Sequence, residues 1–186
     1  MSSFSNNQGK FIRSSPSSNP HKYYQNPNMM LSDSTSALLA ELFSSIAEYE
    51  NMVELARKEL SDHDGFEPYA AFSRIGGFYE GEINESDIAN FCNQVAIKCD
   101  LHDAALLISQ YDENGNGKLS FHEFSSLVLP ATNATLRAMA ISRDYSGMVP
   151  KTPYMDKTLE HALALVFIRE VEYQRKVEEI KHELNL

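Results

Sequence analysis

The stretch DENGNGKLSFHE, residues 112–123, constrains this chain more than any other part of its sequence. It gathers oxygen-bearing side chains and two glycines into twelve residues, and apolar sequence flanks it on both sides. Such a stretch either wraps around a hard cation, which takes about six to eight oxygen ligands, or forms a polar turn between two helices. The spacing of its residues favours the cation.

Oxygen donors recur at alternate positions of this loop, as a short segment wrapped around an ion requires. Asp112, Asn114 and Asn116 stand at positions 1, 3 and 5. Gly117 at position 6 can take the positive φ angle of a sharp turn, and the apolar Leu119 at position 8 is expected in the core. The predicted metal ligands are Asp112, Asn114, Asn116, Lys118 through its backbone carbonyl, Ser120 and Glu123.

Every constrained position of the loop matches the EF-hand signature, and the chain resembles the calmodulin-like EF-hand family. That resemblance implies a second hand, joined to the first by a short antiparallel ribbon between the two residues at position 8. Residues 76–87, GGFYEGEINESD, align with the loop that begins 36 residues later. In this alignment Gly81, Ile83 and Asn84 fall at positions 6, 8 and 9.

The ligand positions of residues 76–87 are poorly filled. Gly76 and Phe78 offer no side-chain oxygen at positions 1 and 3, and Glu80 at position 5 cannot replace them. Asp87 at position 12 is one methylene shorter than Glu, which weakens bidentate binding. We interpret residues 76–87 as a degenerate hand that keeps the fold without the metal; a backbone-rich coordination shell is the alternative.

The predicted cofactor is therefore a single Ca²⁺. Only Asp112 and Glu123 are charged among its ligands, so we expect a dissociation constant of about 10⁻⁶ to 10⁻⁴ M rather than the tight binding of a calcium buffer. Occupancy by Mg²⁺ at resting calcium concentrations and an empty loop are both open alternatives.

Periodicity and breakers predict an all-α fold, an EF-hand pair extended by a long helix at each end. The N-terminal tail is rich in Ser, Asn, Gln and Pro, carries three basic and no acidic residues, and is predicted to be disordered. The predicted segments are the tail at 1–32, a helix at 33–61, the EF-hand pair at 62–130, a short helix and connector at 131–156, and a C-terminal amphipathic helix at 157–186.

The last helix carries a coiled-coil-like heptad seam in which Glu170 alone is polar. Two packing arrangements are possible for this seam. It packs on the first helix of the same chain, or its C-terminal half protrudes and pairs with another chain to form a homo- or hetero-oligomer. The seam residues are Leu159, Leu163, Val166, Glu170, Tyr173, Val177, Ile180 and Leu184.

The charge of the chain and the motifs that it lacks argue against several classes of function. The net charge of −10 argues against nucleic acid as a partner. No apolar run is long enough to span a membrane, and the N-terminal residues lack a hydrophobic signal region. Cys92 and Cys99 lack partners at zinc spacing and are expected to be reduced thiols. The chain lacks a phosphate-binding glycine loop, a nucleophile elbow and a paired His–carboxylate motif, so we expect no enzyme.

The predicted function is a non-enzymatic calcium sensor or adaptor. It would bind a protein partner through the C-terminal helix or the EF-hand groove, in the cytoplasm. The alternative is a constitutive structural component of a cytoskeletal or ciliary (axonemal) assembly, in which the EF-hand is a packing module. The order of degenerate hand, intact hand, short helix and long charged helix loosely resembles EF-hand proteins of ciliated protists.

Overall fold

The structure is a computed structural model that describes residues 32–77, 81–143 and 155–184. Within these ranges the chain is predominantly helical, with seven α-helices and two very short strands. This agrees with the predicted all-α class. The tail before Ser32 and the connector at 144–154 lie outside the described residues, so nothing here tests what the sequence predicts for them.

The elements of the described residues follow one another along the chain in a simple order. They are α1 (Asp33–Asp62), α2 (Pro68–Phe72), a π turn (Ser73–Gly77), β1 (Glu82–Ile83), α3 (Glu85–Gln94), α4 (Leu101–Tyr111), β2 (Leu119–Ser120), α5 (Phe121–Val128), α6 (Ala134–Ser142) and α7 (Lys157–Leu184).

The helix ends follow local chemistry. The Ser32 hydroxyl accepts from Thr35 N at 3.1 Å at the start of α1, and Asp100 caps α4 in the same way. Helix α2 is only five residues long. Pro68 occupies its first turn, where a missing N–H costs nothing, and the segment changes to a π turn at Ser73.

Two strands of two residues each form a short antiparallel ribbon. Ile83 lies opposite Leu119, and Glu82 lies opposite Ser120. Both apolar side chains are fully buried in the core, together with Phe91, Phe124 and other residues of the surrounding helices. The ribbon therefore joins the segment before α3 to the segment before α5.

Helices α1 and α7 pack on each other along their length and run antiparallel. Glu170 contacts Arg57 near the end of α1, whereas Lys176, further along α7, lies 4.0 Å from Glu41 near the start of α1. Of the seam residues, Leu159, Leu163, Val166, Glu170 and Ile180 are buried, and Tyr173 and Val177 are half-buried. In the part of α7 whose side chains are described, the seam thus packs within the chain. The side chain of Leu184 lies outside that part.

Candidate functional site

The predicted metal loop connects α4 to α5. Two glycines, Gly115 and Gly117, bend it with φ angles of 73° and 76°. A Cβ at either position would meet no atom beyond its chain neighbours within 4 Å, so it is the backbone angle, not space, that calls for glycine. The turn folds the first half of the loop back over the carboxylate of Asp112.

Asp112 collects the backbone N–H groups of the turn. Its Oδ1 accepts from Gly115 N at 2.8 Å and from Asn116 N at 3.2 Å, and its Oδ2 accepts from Gly117 N at 2.7 Å. These hydrogen bonds, the one from Gly117 foremost, lower the pKa of the Asp112 carboxyl. The carboxylate is therefore charged and faces the inside of the loop.

Glu123 closes the loop from its other end. Its Oε1 accepts from Glu113 N at 2.9 Å and from Asn114 Nδ2 at 3.1 Å. Its Oε2 accepts from the backbone and the hydroxyl of Ser120, both at 2.7 Å. Burial opposes ionisation of Glu123, but the hydrogen bonds from Ser120 and Glu113 outweigh it and lower the pKa of the carboxyl. The hydrogen bond from Glu113 N thus holds the Glu123 carboxylate against the backbone next to Asp112, the first residue of the loop.

The neutral ligand candidates lie between these carboxylates. Asn116 accepts from Lys118 N at 2.9 Å through Oδ1 and donates to Glu82 Oε1 at 2.9 Å through Nδ2. Asn114 directs Nδ2 towards Glu123, and a half-turn of its amide would direct Oδ1 there instead. All six predicted ligand residues thus belong to one compact loop that is braced from outside by Glu82.

Residues 76–87 repeat part of this geometry. Gly81 at position 6 has a φ angle of 72°, close to that of Gly117. Asn84 and Asp87, at positions 9 and 12, form a reciprocal capping box at the start of α3, and Ser120 and Glu123 do the same at the start of α5. Phe78 and Glu80, the residues predicted at positions 3 and 5, lie outside the described residues.

At position 1 the two loops differ. A Cβ on Gly76 would lie 2.6 Å from Cγ of Asp87, a distance that side chains do not tolerate. The Asp87 carboxylate therefore packs directly against the Gly76 backbone, where the other loop has the Asp112 side chain. In residues 76–87 the last residue, Asp87, thus takes the place that a side chain at position 1 would need.

The donor set of residues 112–123 suits a hard divalent cation. It offers two carboxylates with amide, hydroxyl and carbonyl oxygens, which are the ligands that Ca²⁺ takes in proteins. Among the described residues no three His, Cys, Asp or Glu side chains come together as a metal-binding group, so this loop would depend on neutral oxygens for most of its ligands. Cys92 and Cys99 are both free and buried.

Sequence reasoning missed two groups around the loop. Glu82 accepts a hydrogen bond from Asn116 and lies 3.7 Å from Lys118 Nζ. The sequence does not show this contact, because it depends on how the two strands of the ribbon are paired. Arg57 and Glu170 meet in the interior beside the end of α4. Here a signal existed, because Glu170 is the one charged residue in an otherwise apolar seam.

Comparison with known proteins gives a weak, partial likeness. A probable calcium-binding mitochondrial carrier from Caenorhabditis briggsae is 25% identical over 68 residues, which is 37% of this chain. The match covers only 13% of that protein's length. No family model and no solved structure matches the chain. Within the described residues no helix combines the length and the apolarity needed to cross a membrane.

Proposed function

We propose that this chain is a non-enzymatic calcium sensor or adaptor built on an EF-hand pair, with one working loop at 112–123 and one degenerate loop at 76–87. The carrying observation is that Asp112, at position 1, and Glu123, at position 12, both direct their carboxylates to N–H groups of this one loop. The buried pairing of Ile83 with Leu119 supports it, because this ribbon joins the two loops as the resemblance implies. The similarity to a calcium-binding protein is consistent with the same ligand chemistry.

A calcium ion bound in this loop would give the two carboxylates a doubly positive partner in place of several backbone N–H donors. Asp112 and Glu123 would then exchange bonds to their own loop for bonds to the ion, and Asn114, Asn116, Lys118 O and Ser120 would complete the shell. Because Glu123 belongs to the first turn of α5, any shift of its carboxylate is passed to that helix. In sensor EF-hands such a shift exposes apolar surface; with one working loop we expect a modest response without cooperativity.

The partner surface proposed here lies beside the loop. Tyr69 on α2 is 52% exposed and Phe121 on α5 is 37% exposed, and their rings meet edge to face with centroids 5.4 Å apart. The α7 seam, by contrast, is already covered by α1. The EF-hand side of the molecule is therefore the better candidate for a protein partner than the C-terminal helix.

A constitutive structural role, such as in a cytoskeletal or ciliary assembly, is the second candidate. One observation favours it: the loop satisfies its own carboxylates, since Asp112 alone accepts three backbone hydrogen bonds. A loop whose turn is held by hydrogen bonds of this kind can serve as a packing module.

Calorimetric titration with CaCl₂ separates these two functions. We expect the wild type to bind one ion with a Kd of about 10⁻⁶ to 10⁻⁴ M, and Glu123→Gln to weaken binding about a hundred-fold because it removes one of two ligand charges. Asp87→Asn is the matched control at position 12 of the other loop and should leave the affinity unchanged. A dye that fluoresces on apolar surfaces should respond to calcium in the wild type but not in Glu123→Gln.

If the wild type shows no heat of binding at millimolar calcium, the sensor function is wrong and the constitutive structural role remains. Two bound ions, with one lost in Asp87→Asn, would instead show that residues 76–87 bind metal through a backbone-rich shell.

A further inference from the structure

The Arg57 side chain lies at a buried junction of four helices. Its Nη2 donates to the Tyr111 hydroxyl at 2.5 Å and to the Glu170 carboxylate, and its Nε donates to Leu127 O at 2.8 Å. Tyr111 also donates its hydroxyl proton to Glu170. Helices α1, α4, α5 and α7 each contribute one of these four residues.

Two of these contacts flank the metal loop. Tyr111 is the last residue of α4 and precedes the predicted ligand Asp112. Leu127 lies in α5, one turn after Glu123. A single guanidinium group therefore holds the helix that enters the loop and the helix that leaves it.

The other two residues connect this junction to the long helix pair. Glu170 is buried in the α7 seam, with 4% of its surface exposed. Burial raises the pKa of its carboxyl, although the hydrogen bonds from Tyr111 and Arg57 counteract this. An interior charge of this kind is tolerated only while it is paired, so Glu170 and Arg57 depend on each other's position.

We infer that Arg57 is a positioning residue for the calcium site and that, through Glu170, it links ion occupancy to the packing of α7 on α1. This inference rests on the calcium site proposed above. If α4 and α5 must keep one separation for Asp112 and Glu123 to share an ion, the Arg57 junction contributes to the affinity. Linkage is reciprocal, so calcium must then stabilise the junction by the same factor.

The test compares two carboxylates of the same helix. Glu170→Gln weakens the junction, whereas Glu160→Gln removes an α7 pair of similar kind, to Arg74 of the π turn at 2.9 Å, without touching α4 or α5. We expect Glu170→Gln to lower calcium affinity about five- to ten-fold and Glu160→Gln less than about two-fold. Calcium should also slow amide exchange in α7 around residue 170 in the wild type and in Glu160→Gln, but not in Glu170→Gln.

Tyr111→Phe supplies a second variant in case Glu170→Gln fails to fold. It deletes one hydroxyl, and we expect an affinity loss of about two- to five-fold with helix content unchanged. If the wild type binds calcium and both variants keep its affinity and its calcium-dependent exchange in α7, the inference is wrong and the calcium site stands. If the wild type binds no calcium, the proposed function is wrong, and the inference is overturned with it.

Discussion

The loops at 76–87 and 112–123 share the geometry of their second halves and differ at position 1. Each has a glycine with a positive φ angle at position 6, a buried residue in the ribbon at position 8, and a capping box between positions 9 and 12. At position 1, however, Asp112 gathers three N–H groups, whereas Gly76 leaves room only for the carboxylate of Asp87.

This difference separates the residues that build such a loop from those that give it metal ligands. The turn, the ribbon and the capping box depend on backbone geometry and burial, and they survive in both loops. At positions 1 and 3, Asp112 and Asn114 supply side-chain oxygens that Gly76 and Phe78 lack. Residues 76–87 therefore pair with the other loop through Ile83 and Leu119 without a side-chain oxygen at position 1.

The largest expected effect tests the pairing of the two loops through Ile83 and Leu119. Ile83→Ala and Leu119→Ala should each lower the free energy of unfolding by about 3 kcal/mol, because both side chains are fully buried and truncation leaves a cavity. Urea denaturation measures the loss. If Ile83→Ala cost less than about 1 kcal/mol while Leu119→Ala cost the full amount, the degenerate loop would not be a structural partner of the other.

The next prediction concerns Gly76, against which the Asp87 carboxylate packs. Gly76→Ala should cost about 2 kcal/mol, because its Cβ displaces Asp87, which accepts from Asn84 N at 2.9 Å and caps α3. In an Asp87→Ala background the same substitution should cost much less, since the clash is gone. Equal costs in both backgrounds would show that Asp87 does not fill the loop.

The segments that follow α3 and α5, the helices after the two loops, can be compared in the same way. After α5, the Glu54 carboxylate of α1 accepts from Ala131 N at 2.9 Å and from Thr132 N at 2.8 Å. Burial opposes its ionisation, but the hydrogen bonds from Thr132 and Ala131 prevail and lower the pKa of Glu54. Such a group stabilises the fold above its unfolded pKa of 4.5 and loses that contribution as the pH falls through the lower folded value.

Glu54→Gln should therefore cost about 1.5 kcal/mol at pH 7. The difference from the wild type should shrink as the pH falls from 4.5 through the lowered folded pKa of Glu54, where Glu54 of the wild type also becomes protonated. Urea denaturation at pH 7 and pH 3 tests this. A difference that does not change with pH would mean that the charge of Glu54 is not what holds the exit of α5.

The smallest expected effect lies at the exit of α3. Ala96 has a φ angle of 61°, and the bonds Ala96 N to Asn93 O and Ile97 N to Cys92 O form a Schellman motif. Alanine is strained at this angle, so Ala96→Gly should raise the free energy of unfolding by about 0.7 kcal/mol. Ala89→Gly, in the regular part of α3, is the contrasting control and should be destabilising. A loss of stability in Ala96→Gly would contradict the strain argument.

The sequence by itself determined the local features of this protein. The order of the helices, the caps at Ser32, Asn84 and Asp100, and the glycine turn at 117 follow from short-range chemistry, in which a residue and its near neighbours decide the backbone. The loop composition was also sufficient to predict a set of calcium ligands, which stays a prediction until binding is measured.

Only the tertiary structure decided where the long-range partners lie. It placed the α7 seam on α1, paired Glu170 with Arg57, and set Asp87 against Gly76. Periodicity shows that a face is apolar but not which surface covers it, because many apolar surfaces are equally good partners in free energy. A buried charge likewise needs a partner, and the identity of that partner depends on how distant segments pack.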